Sequence, residues 1–136
     1  MLIAVVAIHV LGAALWFGSS VLLVAVVSPA LAAAGPEAAG AVGAQLFRRI
    51  PPVLGTTGAV TILSGLLLYW LVSGGGSGFM KSTNGMLVGL GALCGFAAMG
   101  TGIITGRLGP RGANFARASV VLLFCALTLM IVGSRA

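Results

Sequence analysis

Apolar residues accumulate in this chain in four long runs, each ended by a short interruption rich in polar residues, glycine or proline. The first extends from Met1 to Val27 and is closed by Ser28 and Pro29; the second covers about 52–72 and is closed by "SGGGSG". The third follows Asn84 and covers 85–106, and the fourth covers about 118–133. A helix needs roughly 20 apolar residues to cross the hydrocarbon of a bilayer, and these runs approach or exceed that length. Hydrocarbon offers bare N–H and C=O groups no partner, which favours helices over strands. The expected fold is all-α: an integral membrane antiparallel four-helix bundle in a single domain, 1–136.

The first connection, "GPEAAGAVGAQLFRRIPP", carries a helical pattern of its own. Pro36 suits a first helical turn, Glu37 the positive helix start, and Arg48 and Arg49 the negative end. Val42, Leu46 and Ile50 recur every four residues with Phe47 beside them, giving one apolar stripe. A short interfacial helix between the first and second crossings is therefore expected, stopped by Pro51 and Pro52. The stretch "SPALAAAGPEA" has a faint signal-peptidase look. No basic residue precedes the first run, however, and its length of about 27 apolar positions exceeds a signal core, so it reads as a retained helix.

Composition turns this pattern into a choice of solvent. Of 136 residues, 60% are hydrophobic and 6% charged, with a mean hydropathy of +1.21, which marks an integral membrane protein. The net charge of +6 would suggest nucleic acid in a soluble protein, but the seven cations are scattered between apolar runs and form no basic stripe. They read as topology signals. Arg48, Arg49, Arg107, Arg111 and Arg117 lie in the connections on one side, against Lys81 and Arg135 on the other. Five against two places the arginine connections in the cytoplasm and both termini outside, in a multi-pass protein of a bacterial-type inner (plasma) membrane. The expected partners are the lipid bilayer and other membrane subunits or a second copy, with no nucleic acid.

Small residues indicate how the helices pack. In the third run the glycines form two stripes at about 100° per residue, one of Gly85, Gly89 and Gly100, the other of Gly91, Gly95, Gly102 and Gly106. Two smooth stripes admit two close neighbours. The first run offers Ala14 and Gly18, and the second Thr57, Thr61 and Gly65.

Candidate chemistry is sparse. The one acidic residue, Glu37, lies in a connection, so a proton-coupled exporter that needs a carboxylate among its helices is not supported. No acidic pair, phosphate loop or nucleophile set is present for hydrolysis or phosphoryl transfer. His9 is the one ionisable side chain well inside a span, and it shares a helical stripe with Gly12, Ala13, Trp16 and Ser20. Three readings compete for it: a hydrogen bond between helices or to water, a haem or metal ligand with Trp16 lining the pocket, and a proton relay. Cys94 and Cys125 sit in apolar runs without CxxC spacing. Counted from the outer face at about 1.5 Å per residue, His9 lies about 12 Å deep and the cysteines about 14 to 15 Å, a set whose softness would suit Cu(I) or Zn. Haem b normally takes two axial ligands from facing helices, and with one histidine in the chain a haem would be five-coordinate, use a methionine, or be shared with a second copy or a partner.

The stretches "IHVLGAALWFGSS", "SPAL", "FRRIPP", "ILSGLLLYW" and "TLMIVGSRA" together resemble the small four-helix membrane proteins related to the copper resistance protein D (CopD) group. The architecture is also similar to the membrane protoporphyrinogen oxidase HemJ. The resemblance implies a role in copper handling or in haem and respiratory membranes, and it carries over residue by residue to His9, Trp16 and Gly18. The leading expectation is a non-enzymatic subunit or accessory protein of a larger membrane complex, respiratory or photosynthetic. The alternative is a haem b or copper protein with His9 as ligand, and the third a small channel or transporter.

Overall fold

A computed structural model of the protein describes residues 1–74 and 78–134, without the side chains of Ala38, Phe47 and Pro110. The centre of "SGGGSG", and Arg135 of the charge count, lie outside the described residues, as does the Phe47 side chain of the apolar stripe. The elements are α1 (Leu2–Leu22), a π-helical turn (Leu23–Val27), α2 (Ser28–Ala33), α3 (Pro36–Ser73), a 3-10 turn (Phe79–Lys81), α4 (Thr83–Leu108), a second 3-10 turn (Gly109–Gly112) and α5 (Ala113–Gly133). The fold is all-α, with no strand among the described residues. Four stretches are long and apolar enough to cross a membrane: Leu2–Ala33, Ala39–Ser73, Thr83–Leu108 and Ala113–Gly133.

Two expected helix ends do not occur. Ser28 and Pro29 were expected to close the first run, but the helix continues through the π turn into α2. A proline lacks an N–H, and its ring collides with the carbonyl four residues back. One wide turn relieves this: the backbone N–H of Ser28 reaches the Leu23 carbonyl, and Ser28 Oγ donates to the same oxygen at 2.8 Å. Chain reversal comes instead at Gly35, whose φ of +87° is the left-handed backbone that glycine tolerates, immediately before Pro36 at the start of α3. The second correction concerns Pro51 and Pro52. They do not separate an interfacial helix from the next crossing, because α3 runs unbroken from Pro36 to Ser73 with both prolines inside. The two missing N–H groups leave the carbonyls of Phe47 and Arg48 without their helical donors, a loss most easily borne where water is near. The expected amphipathic stretch is thus the leading part of α3, with Glu37 in its first turn, Val42 exposed, and Leu46 and Ile50 half-buried.

The core is narrow. Trp16, Ala98 and Leu123 form its buried centre, with Phe17, Leu54, Ile62, Met99 and Leu122 packed around them. The α4–α5 pair closes at Gly91, where an added Cβ would lie 3.1 Å from the Ala126 carbonyl oxygen and 3.0 Å from Met130 Cγ. Ser119 Oγ ties the same pair by donating to the Ala98 carbonyl at 3.0 Å.

Candidate functional site: the His9 seam

Three positions of α1 meet three of α3. His9 lies over Gly65, Gly12 over Thr61, and Trp16 over Gly58. Both triplets have the spacing three then four, which returns to one helical face, and each contact pairs a large group with a residue that has no side chain. A Cβ on Gly65 would stand 2.8 Å from His9 Cε1 and 3.3 Å from Nδ1, so the imidazole occupies the space that any other residue would fill. A Cβ on Gly12 would stand 2.8 Å from Thr61 Oγ1, and one on Gly58 3.0 Å from Trp16 Cε2 and 2.9 Å from Met99 Sδ.

Hydrogen bonding fixes the ring. His9 Nδ1 lies 2.9 Å from the Thr61 carbonyl oxygen and 3.2 Å from Ser64 Oγ. A carbonyl only accepts, so Nδ1 carries the proton. Ser64 donates its own hydrogen to the Val60 carbonyl at 2.6 Å, which leaves an oxygen lone pair to share the Nδ1 hydrogen. Thr61 Oγ1 likewise donates to the Thr57 carbonyl at 2.8 Å. Nε2 has no hydrogen-bond partner among the described residues, and no sealed polar side-chain atom there lacks one, so Nε2 reaches the surface of the helix stack as a bare lone pair.

Of the three readings open for His9, the geometry contains the helix-to-helix hydrogen bond. Trp16 is buried beside Gly58 in the core. Cys94 is a half-buried free thiol on α4 and Cys125 an exposed one on α5; among the described residues no three His, Cys, Asp or Glu side chains come together as a metal-holding group. Ala14 and Gly18 are exposed, and nothing lies within 4 Å of a Cβ placed on Gly18, so the close contact of α1 runs through Gly12 instead. On α4, Gly89 faces Met80 and Gly85 the first 3-10 turn, Gly91 faces α5, and Gly102 comes to 4.0 Å from Ser119 Oγ, while Gly95, Gly100 and Gly106 meet nothing within 4 Å. From sequence, Gly12 stands out only as part of the His9 stripe, and Gly58 and Ser64 do not stand out. The signal that finds Gly12 and Gly58 is the matched spacing of 9, 12, 16 and 58, 61, 65, with bulky residues facing glycines; Ser64 lies outside that pattern. A further cavity of about 80 Å³ lies where the helices meet, lined among others by Ser20, Val24, Leu54, Thr105, Ala116 and Ser119.

No family model, curated protein or solved structure matches the chain.

Proposed function

We propose that the chain is a non-enzymatic multi-pass membrane protein: an antiparallel four-helix bundle, both termini outside, that serves as a subunit or accessory protein against other membrane helices. The observation that carries this reading is the exterior. A compact soluble chain of this mass would expose about 6,500 Å², whereas this one exposes 8473 Å², with Leu15, Leu63, Trp70, Leu93, Val121 and Phe124 each at least 60% accessible. Such a surface suits lipid or other helices. Gly18, Gly55, Gly95, Gly100 and Gly106 add open notches where a neighbouring backbone can approach. The antiparallel order is supported by the seam, where positions rising along α1 meet positions falling along α3. The polar side chains within the spans support a packing role, since His9, Ser20, Thr61, Ser64 and Ser119 all bond to backbone carbonyls. Photo-crosslinkers at positions 18 and 100, applied in native membranes, are expected to capture a second polypeptide. A protein that stays uncrosslinked and purifies as a lone monomer contradicts the reading.

One observation favours a second reading, a haem protein. An imidazole held at Nδ1 by a carbonyl, with Nε2 bare and at the surface, has the arrangement of a metal-ligating histidine. His9 would hold a haem through Nε2, and a bound haem would supply redox chemistry there. The second ligand would come from another chain. The copper set of His9, Cys94 and Cys125 does not fit, because these donors do not gather. Absorption spectra of protein purified in mild detergent decide: a Soret band that His9→Ala removes supports haem, and its absence from wild type ends this reading.

A further inference from the structure

We propose that the arginine-bearing end of the helix stack is a binding surface for anionic phospholipid, with the guanidinium groups on the headgroup phosphates and the neighbouring apolar side chains on the acyl chains. This rests on the membrane reading above.

Five arginines fall within a layer about 10 Å deep. Leu54 of α3, Thr105 of α4 and Ala116 of α5 line a single small cavity, which places these positions within about one helical turn of a common height. From that height Arg49 and Arg48 lie five and six residues back along α3, about 8 to 9 Å at the helical rise. Arg107 lies two residues beyond Thr105, Arg111 sits in the 3-10 turn that joins α4 to α5, and Arg117 lies just past Ala116 toward the middle of α5, on the inner side of the layer. All five are exposed. The chain supplies no counter-charge at this height: its one acid, Glu37, is eleven residues from Arg48, about 17 Å further along α3.

Five unpaired guanidinium groups beside a low-dielectric slab attract anions, and their planar forks match phosphate oxygens. The apolar neighbours choose among anions. Val53, Leu108 and Phe115 are 57%, 43% and 40% exposed within the same layer, so the ligand that satisfies both is amphipathic. A free phosphate would leave these side chains unused, whereas a diacyl phospholipid covers them. Two proline positions, 51 and 52, border the layer and leave the carbonyls of Phe47 and Arg48 open to water or to headgroup hydroxyls.

The test uses the full chain in vesicles of phosphatidylcholine alone and of equal parts phosphatidylcholine and phosphatidylglycerol, with retained lipid read by native mass spectrometry after extraction. Wild type is expected to retain phosphatidylglycerol in preference to phosphatidylcholine. The exposed pairs Arg48→Gln/Arg49→Gln and Arg107→Gln/Arg111→Gln are each expected to weaken that preference about 30-fold, from the usual contribution of a cation near a charged membrane surface. Lys81→Gln, in the connection from α3 to α4, should leave it unchanged. Excess inorganic phosphate should compete weakly. Equal retention of the two lipids by wild type, retention unaffected by either arginine pair, or loss of retention to inorganic phosphate alone would each overturn the proposal. The wild-type comparison needs no variant and so stands even if a pair misfolds. A chain that fails to insert into phosphatidylcholine would instead overturn the membrane reading.

Discussion

Gly65→Ala is the smallest change that enters the seam. The new methyl group would lie 2.8 Å from His9 Cε1 and 3.3 Å from Nδ1, the first closer than a real Cβ approaches any atom. The imidazole is the end of a side chain and can swing away, but its Nδ1 is tied to the Thr61 carbonyl at 2.9 Å and to Ser64 Oγ at 3.2 Å. Withdrawal therefore costs the hydrogen bond, about 0.6 kcal/mol on average and up to about 1.7 between membrane helices, plus about 1 kcal/mol for displaced packing. Against this stands the helix-propensity gain of glycine to alanine, about 0.5 to 1 kcal/mol. Gly100→Ala on α4 isolates that gain, because nothing lies within 4 Å of its Cβ. The expectation is that Gly65→Ala is less stable than Gly100→Ala by about 1.6 to 2.7 kcal/mol, the propensity term cancelling between them. Denaturing-detergent titration of helical circular dichroism measures the difference, with His9→Ala added to remove the clash. Equal stability of the two alanine variants, or no recovery on adding His9→Ala, would falsify the seam.

Other expectations follow from single contacts. Gly91→Leu drives a side chain against the Ala126 backbone and should part α4 from α5, visible as lost cross-linking between cysteines engineered at positions 87 and 133, where the two helices also meet, in a chain whose Cys94 and Cys125 are replaced by alanine. Ser119→Ala removes one donor to the Ala98 carbonyl and should cost about 0.6 kcal/mol, up to about 1.7, in the same titration. Pro51→Ala with Pro52→Ala restores two N–H groups, so amide exchange over residues 47–53 should slow while total helicity stays nearly constant; unchanged exchange would show that the prolines do not weaken the helix there. A membrane-permeant maleimide should label exposed Cys125 faster than half-buried Cys94, and the reverse order would contradict their placement.

Much of the helical architecture is legible in hydropathy, because an apolar run long enough to cross a bilayer can pair its backbone groups within itself only as a helix. The ends are less legible. Ser28–Pro29 and Pro51–Pro52 carry the usual stop signal, yet a π turn absorbs the first and a continuous helix carries the second. Proline acts on one or two backbone bonds, and the surrounding bonds decide whether the helix survives. In the candidate site, the stripe of His9, Gly12, Trp16 and Ser20 follows from helical geometry alone, and all but His9, which is partly buried, are buried. What covers that stripe does not follow, since glycine at 58 or 65 looks the same in sequence whether a neighbour fills its notch or, as at Gly95, none does.

Because His9 is the only histidine, isotope labelling of that residue type gives one pair of ring-nitrogen resonances with no assignment to resolve. Nitrogen NMR of the protein in bilayers is the most direct test of the seam. The hydrogen bond to Thr61 requires the proton on Nδ1 and a bare Nε2, and Gly65→Ala should abolish that preference. A ring protonated mainly at Nε2, or a spectrum indifferent to Gly65→Ala, would contradict it.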